Sequence, residues 1–138
     1  MLVVKRKEEL MNMLDGFVVF DFNVGSASAS ITPNGVTFNK SVVIKLGFPK
    51  YAQLLINKQL KQIAVRACEK DDEKAYEFYG CSPDEKPVRS VRWNHKDLLN
   101  SLSELMDWDL KKVAHRVEGK MLPEENVMLF DLTTAKDL

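Results

Sequence analysis

Four side chains carry chemistry that could bind a metal or attack a substrate: Cys68, Cys81, His95 and His115. They are separated by 12, 13 and 19 residues, without the close ligand pairs of zinc sites. Two cysteines do not make a disulfide framework either. Ordinary buried thiols and surface imidazoles account for them. His95 and Cys81 could be cast as base and nucleophile, but no third group is identifiable to orient them. The chain lacks a Gly-rich phosphate loop, a Gly-x-Ser-x-Gly elbow and a His-Glu-x-x-His pair. The expectation is a protein that is not an enzyme and that uses no metal and no cofactor.

The remaining chemistry is electrostatic. The 138 residues hold 20 Lys+Arg and 20 Asp+Glu, so the net charge is zero, which excludes a uniformly basic nucleic-acid binder. The charges are nevertheless segregated. Between Phe22 and Cys68 there is no acidic residue, while Lys40, Lys45, Lys50, Lys58, Lys61 and Arg66 give +6. Residues 69–85 hold seven acids against Lys70 and Lys74, and residues 86–120 eight bases against five acids. A one-signed stretch of this length is a footprint for phosphates. Arg89 and Arg92 add the bidentate geometry that reads guanine. The alternative is that the acidic stretch folds back and neutralises the basic one as ordinary surface. Trp93 and Phe38 could stack on bases, although their places beside helix caps suit core anchors better.

These side chains must be held by a folded scaffold. A hydrophobic fraction of 45% with 29% charged residues is that of a soluble globular domain. Residues 4–15 have helical spacing, with Leu10, Met13, Leu14 and Phe17 at i, i+3, i+4 and i+7. Phe17 to Phe22 and Ser26 to Ile31 read as strands, followed by a Thr32-Pro33-Asn34-Gly35 turn. Val36–Phe38 is extended, Asn39 or Ser41 caps a helix to Leu46, and Gly47 ends it. Tyr51–Ile56 and Lys61–Arg66 form a hairpin. Residues 69–87 read as an acidic linker with a short strand at Ala75–Tyr79. The order then starts again. Val91–Asn94 is extended, and Asn94 with Asp97 resembles a capping box. Leu98, Leu99, Leu102, Leu105 and Met106 form a helical stripe, while Lys111–Glu118 and Asn126–Leu132 are strands around a 119–125 loop.

The two stretches are alike in more than order. Val36-Thr37-Phe38-Asn39 precedes Val91-Arg92-Trp93-Asn94 by 55 residues, with valine, aromatic and asparagine in register. Leu46-Gly47-Phe48 matches Met106-Asp107-Trp108 after a longer second helix. A half of this kind leaves sheet edges bare, and two copies in one chain could close a small barrel. The expected organisation is an N-terminal helix and strands (1–34), a first β-α-β-β unit (35–68), the acidic linker (69–87) and a second β-α-β-β unit (88–138). The fold class is α+β, with both units sharing one small barrel-like core.

The stretch Val36–Phe48, with Ala52–Ile56 and Ile63–Val65, resembles the swapped-hairpin element of AbrB/MazE-type proteins (the SpoVT-AbrB-like group). In that family a strand runs into a short capped helix ending in Leu-Gly-aromatic or aliphatic, and a hairpin completes the unit. Two units, usually from two chains, interlock. The resemblance implies that this chain carries both, as an intrachain pseudo-dimer. It also implies a small DNA-binding transcription regulator, with Lys40, Lys45, Lys50, Arg89, Arg92 and Lys96 on the nucleic acid. The sequence departs from the family at Ser26–Thr32, which has no Arg or Lys, and at Asn39, where the family has proline. The alternative is a non-catalytic protein-interaction module built on a degenerate barrel. DNA is the expected partner, with a protein partner or a homodimer as alternatives. Apolar runs such as Gly16–Phe20 are too short to span a bilayer, and Met1–Glu9 puts apolar residues before charges, unlike a secretory signal. No membrane association and a cytoplasmic location are expected.

Overall fold

A computed structural model of the chain describes residues 13, 16–19, 25–82, 84 and 86–138. The helix expected over residues 4–15 lies outside the described residues except for Met13, as do residues 20–22 of the first expected strand. Phe17, Val18 and Val19 are not in a strand, and all three are exposed.

Alternation along the first described strands sets the architecture. In β1 (Ser28–Thr32) Ala29 and Ile31 are fully buried, and in β2 (Gly35–Phe38) Val36 and Phe38 are. A period of two puts these on one face and Ser30 and Thr37 on the other. The turn between the strands needs Gly35, whose φ is +142°. A Cβ there would stand 2.8 Å from the Trp93 carbonyl oxygen and 3.1 Å from Asn94 Cα. β6 (Val91–Trp93) therefore lies closely against β2.

Asn39 ends β2 and starts α1 (Lys40–Lys45). Its side-chain oxygen accepts from Val42 N and from Ser28 N, both at 3.2 Å, and its amide donates to the Ser26 carbonyl and Ser28 Oγ. One side chain thus caps the helix and fastens β1 to it. Gly47, at φ +81°, turns the chain out of the helix. β3 (Tyr51–Asn57) and β4 (Gln62–Cys68) form the expected hairpin.

The acidic stretch holds β5 (Tyr76–Glu77), which pairs with β3. It also places Phe78 and Tyr79 in the core. After β6, the helix α2 (Lys96–Met106) buries Leu102 and packs on β2. Its cap is His95, without a side-chain hydrogen bond, in place of the expected Asn94. The close approach of Gly35 to Asn94 keeps Asn94 in line with β6, so the helix starts one residue later. Asp107 ends it in the left-handed conformation.

The strand expected at Lys111–Glu118 begins later. Asp109 accepts from Lys111 N through its carboxylate and from Lys112 N and Val113 N through its carbonyl, which holds Lys111–Val113 in a turn. β7 is His115–Leu122 and includes Gly119, expected as loop. β8 (Val127–Asp131) returns antiparallel to it, a 3₁₀ turn follows (Leu132–Thr134), and β9 (Lys136–Asp137) pairs back on β7.

The strands run β5-β3-β4-β8-β7-β1-β2-β6, all neighbours antiparallel, with β9 on β7. Among the described residues, the sheet curls into a half-barrel with two helices, a small α+β fold. β7 takes part in both ends of the curl, and Gly119 is where it crosses over: a Cβ there would lie 2.8 Å from Met128 Sδ and 2.9 Å from a Phe130 ring carbon. Inside the curl the Phe38 ring lies 5.2 Å from Trp93 and 5.7 Å from both Phe78 and Phe130. These four aromatics come from the front unit, the acidic stretch and the back unit, so the chain has one shared core.

Candidate nucleic-acid interface

Cross-strand partners share a face of a sheet. Arg92 lies opposite Thr37, Thr37 opposite Ser30, Ser30 opposite Arg116, and Arg116 opposite Lys136. This row runs over β6, β2, β1, β7 and β9. The parallel row on the inner face is Val91, Phe38, Ala29 and Val117, all buried. The outer row therefore points to solvent, and its three cations are exposed while Ser30 and Thr37 are partly covered. With strands about 4.8 Å apart, Arg92 stands three steps, about 14 Å, from Arg116, and Lys136 one step further. Two short hydroxyl side chains fill the space between the cations. Glu118, opposite Ser28, is the acidic neighbour on this face of β7.

The inner side of the same strands holds His115 rigidly. Its ring stacks on Trp108 at 4.0 Å and 15°, and its Nδ1 lies 3.7 Å from Asp137 Oδ1. That contact joins β9 to β7 next to the Arg116–Lys136 pair.

The six cations expected at a nucleic acid are all exposed, and they do not gather in one cleft. Arg92 sits in the outer row. Lys40 lines a cleft with Lys86 and Ser90 beside α1. Lys50 lines another with Glu69 and Lys70 near the end of β4. Lys96 lies beside Lys111 and Pro33 at the start of α2. Lys45 is in the last turn of α1, and Arg89 N approaches the Tyr79 hydroxyl at 3.4 Å. Among the described residues, no carboxylate comes within 4.0 Å of the Lys40, Lys45, Lys50, Arg92 or Lys96 ammonium or guanidinium. The acidic Glu69–Glu73 run does not pair with them. Arg116 and Lys136 were not singled out from the sequence. The signal for Arg116 is its alternation with His115 and Val117, whereas nothing in the sequence marks Lys136 as part of a strand.

Cys68 and Cys81 are free thiols, and among the described residues no three His, Cys, Asp or Glu side chains gather as a metal site would require. No helix among the described residues is long and apolar enough to cross a membrane. No family model, curated protein or solved structure matches the chain.

Proposed function

We propose that this chain is a small DNA-binding regulator of the AbrB type, in which two β-α-β-β units within one chain take the place of two subunits. The observation that carries the reading is the outer row Arg92–Thr37–Ser30–Arg116–Lys136. Arg92 stands about 14 Å from the Arg116–Lys136 pair, comparable with the roughly 12 Å width of a major groove that admits β-strands. Lys40, Lys45, Lys50, Arg89 and Lys96 add phosphate contacts around it, which position the protein and supply affinity rather than sequence readout. The cytoplasm is the compartment this role calls for.

The paired-unit organisation draws support from the strand order. Exchanging β1 with β5, β2 with β6, β3 with β7 and β4 with β8 returns the same cyclic order, once β5 and β6 are counted as neighbours. Those two edges do meet: Trp93 Nε1 donates to the Glu77 carbonyl at 2.9 Å. The matched helix ends, Gly47 and Asp107, both take positive φ.

An electrophoretic shift of random-sequence duplex DNA tests the reading. A shift at low salt that fades steeply as salt rises is expected. No shift at low salt overturns it. A protein-interaction module is the second reading, favoured by Phe17, Val18 and Val19, which are 74%, 90% and 98% exposed. Three consecutive large apolar side chains in water mark an interaction segment.

A further inference from the structure

We propose that the seam between β5 and β6 is a binding site for a single planar aromatic ring system bearing an anionic group. Here the curled sheet fails to complete its ladder, and a cavity of about 240 Å³ opens, lined by Leu54, Lys74, Tyr76, Trp93, His95 and Leu98. The inference is independent of DNA binding.

The walls are aromatic and held in place. Tyr76 meets Trp93 edge-on at 5.6 Å and 84°, and His95 at 6.4 Å and 88°. The indole is anchored by its bond to the Glu77 carbonyl and by the Phe38 and Phe78 rings behind it. Rings at right angles form a corner that offers both a face and an edge to a third ring. Tyr76 is 52% exposed, on a two-residue edge strand, so that corner is open to solvent. Leu54 and Leu98 supply an aliphatic floor.

The charge of the lining selects the ligand. Lys74 provides an ammonium, and none of the described lining residues is acidic. A cationic guest would meet Lys74, whereas an anionic substituent would pair with it. Size limits the guest further: the cavity lies below the roughly 300–1,000 Å³ of sites for drug-sized ligands, which suits one ring system and excludes a peptide. A partner strand could not enter without breaking the Trp93–Glu77 bridge. Aromatic carboxylates and mononucleotides share the required chemistry.

The indole N–H resonance of Trp93, distinguished from that of Trp108 by Trp108→Phe, reports on the site directly. Titration with naphthoate and with AMP is expected to give a saturable shift for at least one, and which one responds identifies the source of the ring. Decahydronaphthalene-2-carboxylate, with the charge and carbon skeleton of 2-naphthoate and no π face, should bind about tenfold more weakly than naphthoate, the equivalent of one aromatic pair. Tyr76→Ala should weaken the ring ligand similarly. Lys74→Gln should weaken it while leaving neutral naphthalenemethanol unchanged, and that variant serves if Tyr76→Ala does not fold. Absence of saturation with both ring anions, or binding of decahydronaphthalene-2-carboxylate equal to that of naphthoate, overturns the proposal.

Discussion

Thr37 and Arg92 face each other across the β2–β6 ladder, with Val36 opposite Trp93 on one side and Phe38 opposite Val91 on the other. The two triplets Val36-Thr37-Phe38 and Val91-Arg92-Trp93 thus exchange places about their middle residues. Valine meets aromatic twice, and both pairs point inward and are buried. Neither triplet could bury its valine and aromatic alone, because each is a three- or four-residue strand with a bare edge. Their pairing also sends the middle residues outward, which puts Arg92 in the cationic row.

This register is directly testable. Residues directly opposite in an antiparallel pair have Cα atoms about 4.5–5.5 Å apart, within the range a disulfide spans. Thr37→Cys with Arg92→Cys, in a Cys68→Ser, Cys81→Ser background, is expected to cross-link intramolecularly under mild oxidation. Thr37→Cys with Val91→Cys, one residue out of register, should cross-link far less. Non-reducing electrophoresis with peptide mapping distinguishes them, and equal yields would contradict the pairing.

Asn39 joins the start of α1 to β1 through both ends of its amide. Asn39→Ala is expected to destabilise the fold by about 2 kcal/mol, the upper part of the range for a lost N-cap. Asn39→Asp keeps the two acceptor bonds and loses the two donor bonds, so it should cost less. Urea unfolding of the three proteins checks the order; an Asn39→Ala midpoint equal to wild type would remove Asn39 from this role.

Gly119 lies under Met128 and Phe130 with no room for a Cβ. Gly119→Ala is expected to cost about 1–3 kcal/mol by overpacking. Met128, fully buried, should cost about 2–5 kcal/mol on truncation to Ala. Because the two changes oppose each other in volume, the double variant should be more stable than their sum by at least about 0.5 kcal/mol. Strict additivity would show that β7 has room to shift at its bend.

Cys68 ends β4 with its thiol pushed above the ordinary range. Burial is the largest cause, the Asp72 and Glu69 carboxylates add to it, and Arg66 opposes. In Cys81→Ser, iodoacetamide should therefore react with Cys68 at a pH inflection above that of a free thiol. Asp72→Asn should bring the inflection down. A raised folded-state value favours the protonated thiol, so this contribution to stability is complete below the unfolded thiol's pKa and declines as pH rises through the folded one. An inflection at or below that of a free thiol would contradict the assignment.

Much of the scaffold is legible along the chain because its signals are local. The Asn39 cap, the Thr32–Gly35 turn, the β3–β4 hairpin and the α2 stripe all follow from residue types within a few positions of one another. Several of the parts that sequence reasoning misplaced depend on distant contacts. His95 replaces Asn94 as the cap because Gly35, some 60 residues earlier in the chain, holds Asn94 against it. The turn at Lys111–Val113 is instead set locally, by Asp109. Phe78 and Tyr79 sit in a charged, turn-rich stretch and still enter the core, since Phe78 packs on the Phe38 and Trp93 rings and Tyr79 on Phe48. For the candidate interface, Arg92 follows from alternation around Trp93, whereas Lys136 joins the row through a two-residue strand with no periodicity of its own.

Fluorescence polarisation with a labelled duplex, repeated across a series of salt concentrations, tests the central claim most directly. For wild type, log affinity should fall linearly with log salt. In Arg92→Ala/Arg116→Ala/Lys136→Ala the slope should lessen by about 3, at roughly 0.9 per lost phosphate contact, with circular dichroism unchanged. A variant that keeps the wild-type affinity and slope would contradict the assignment of the outer row to DNA.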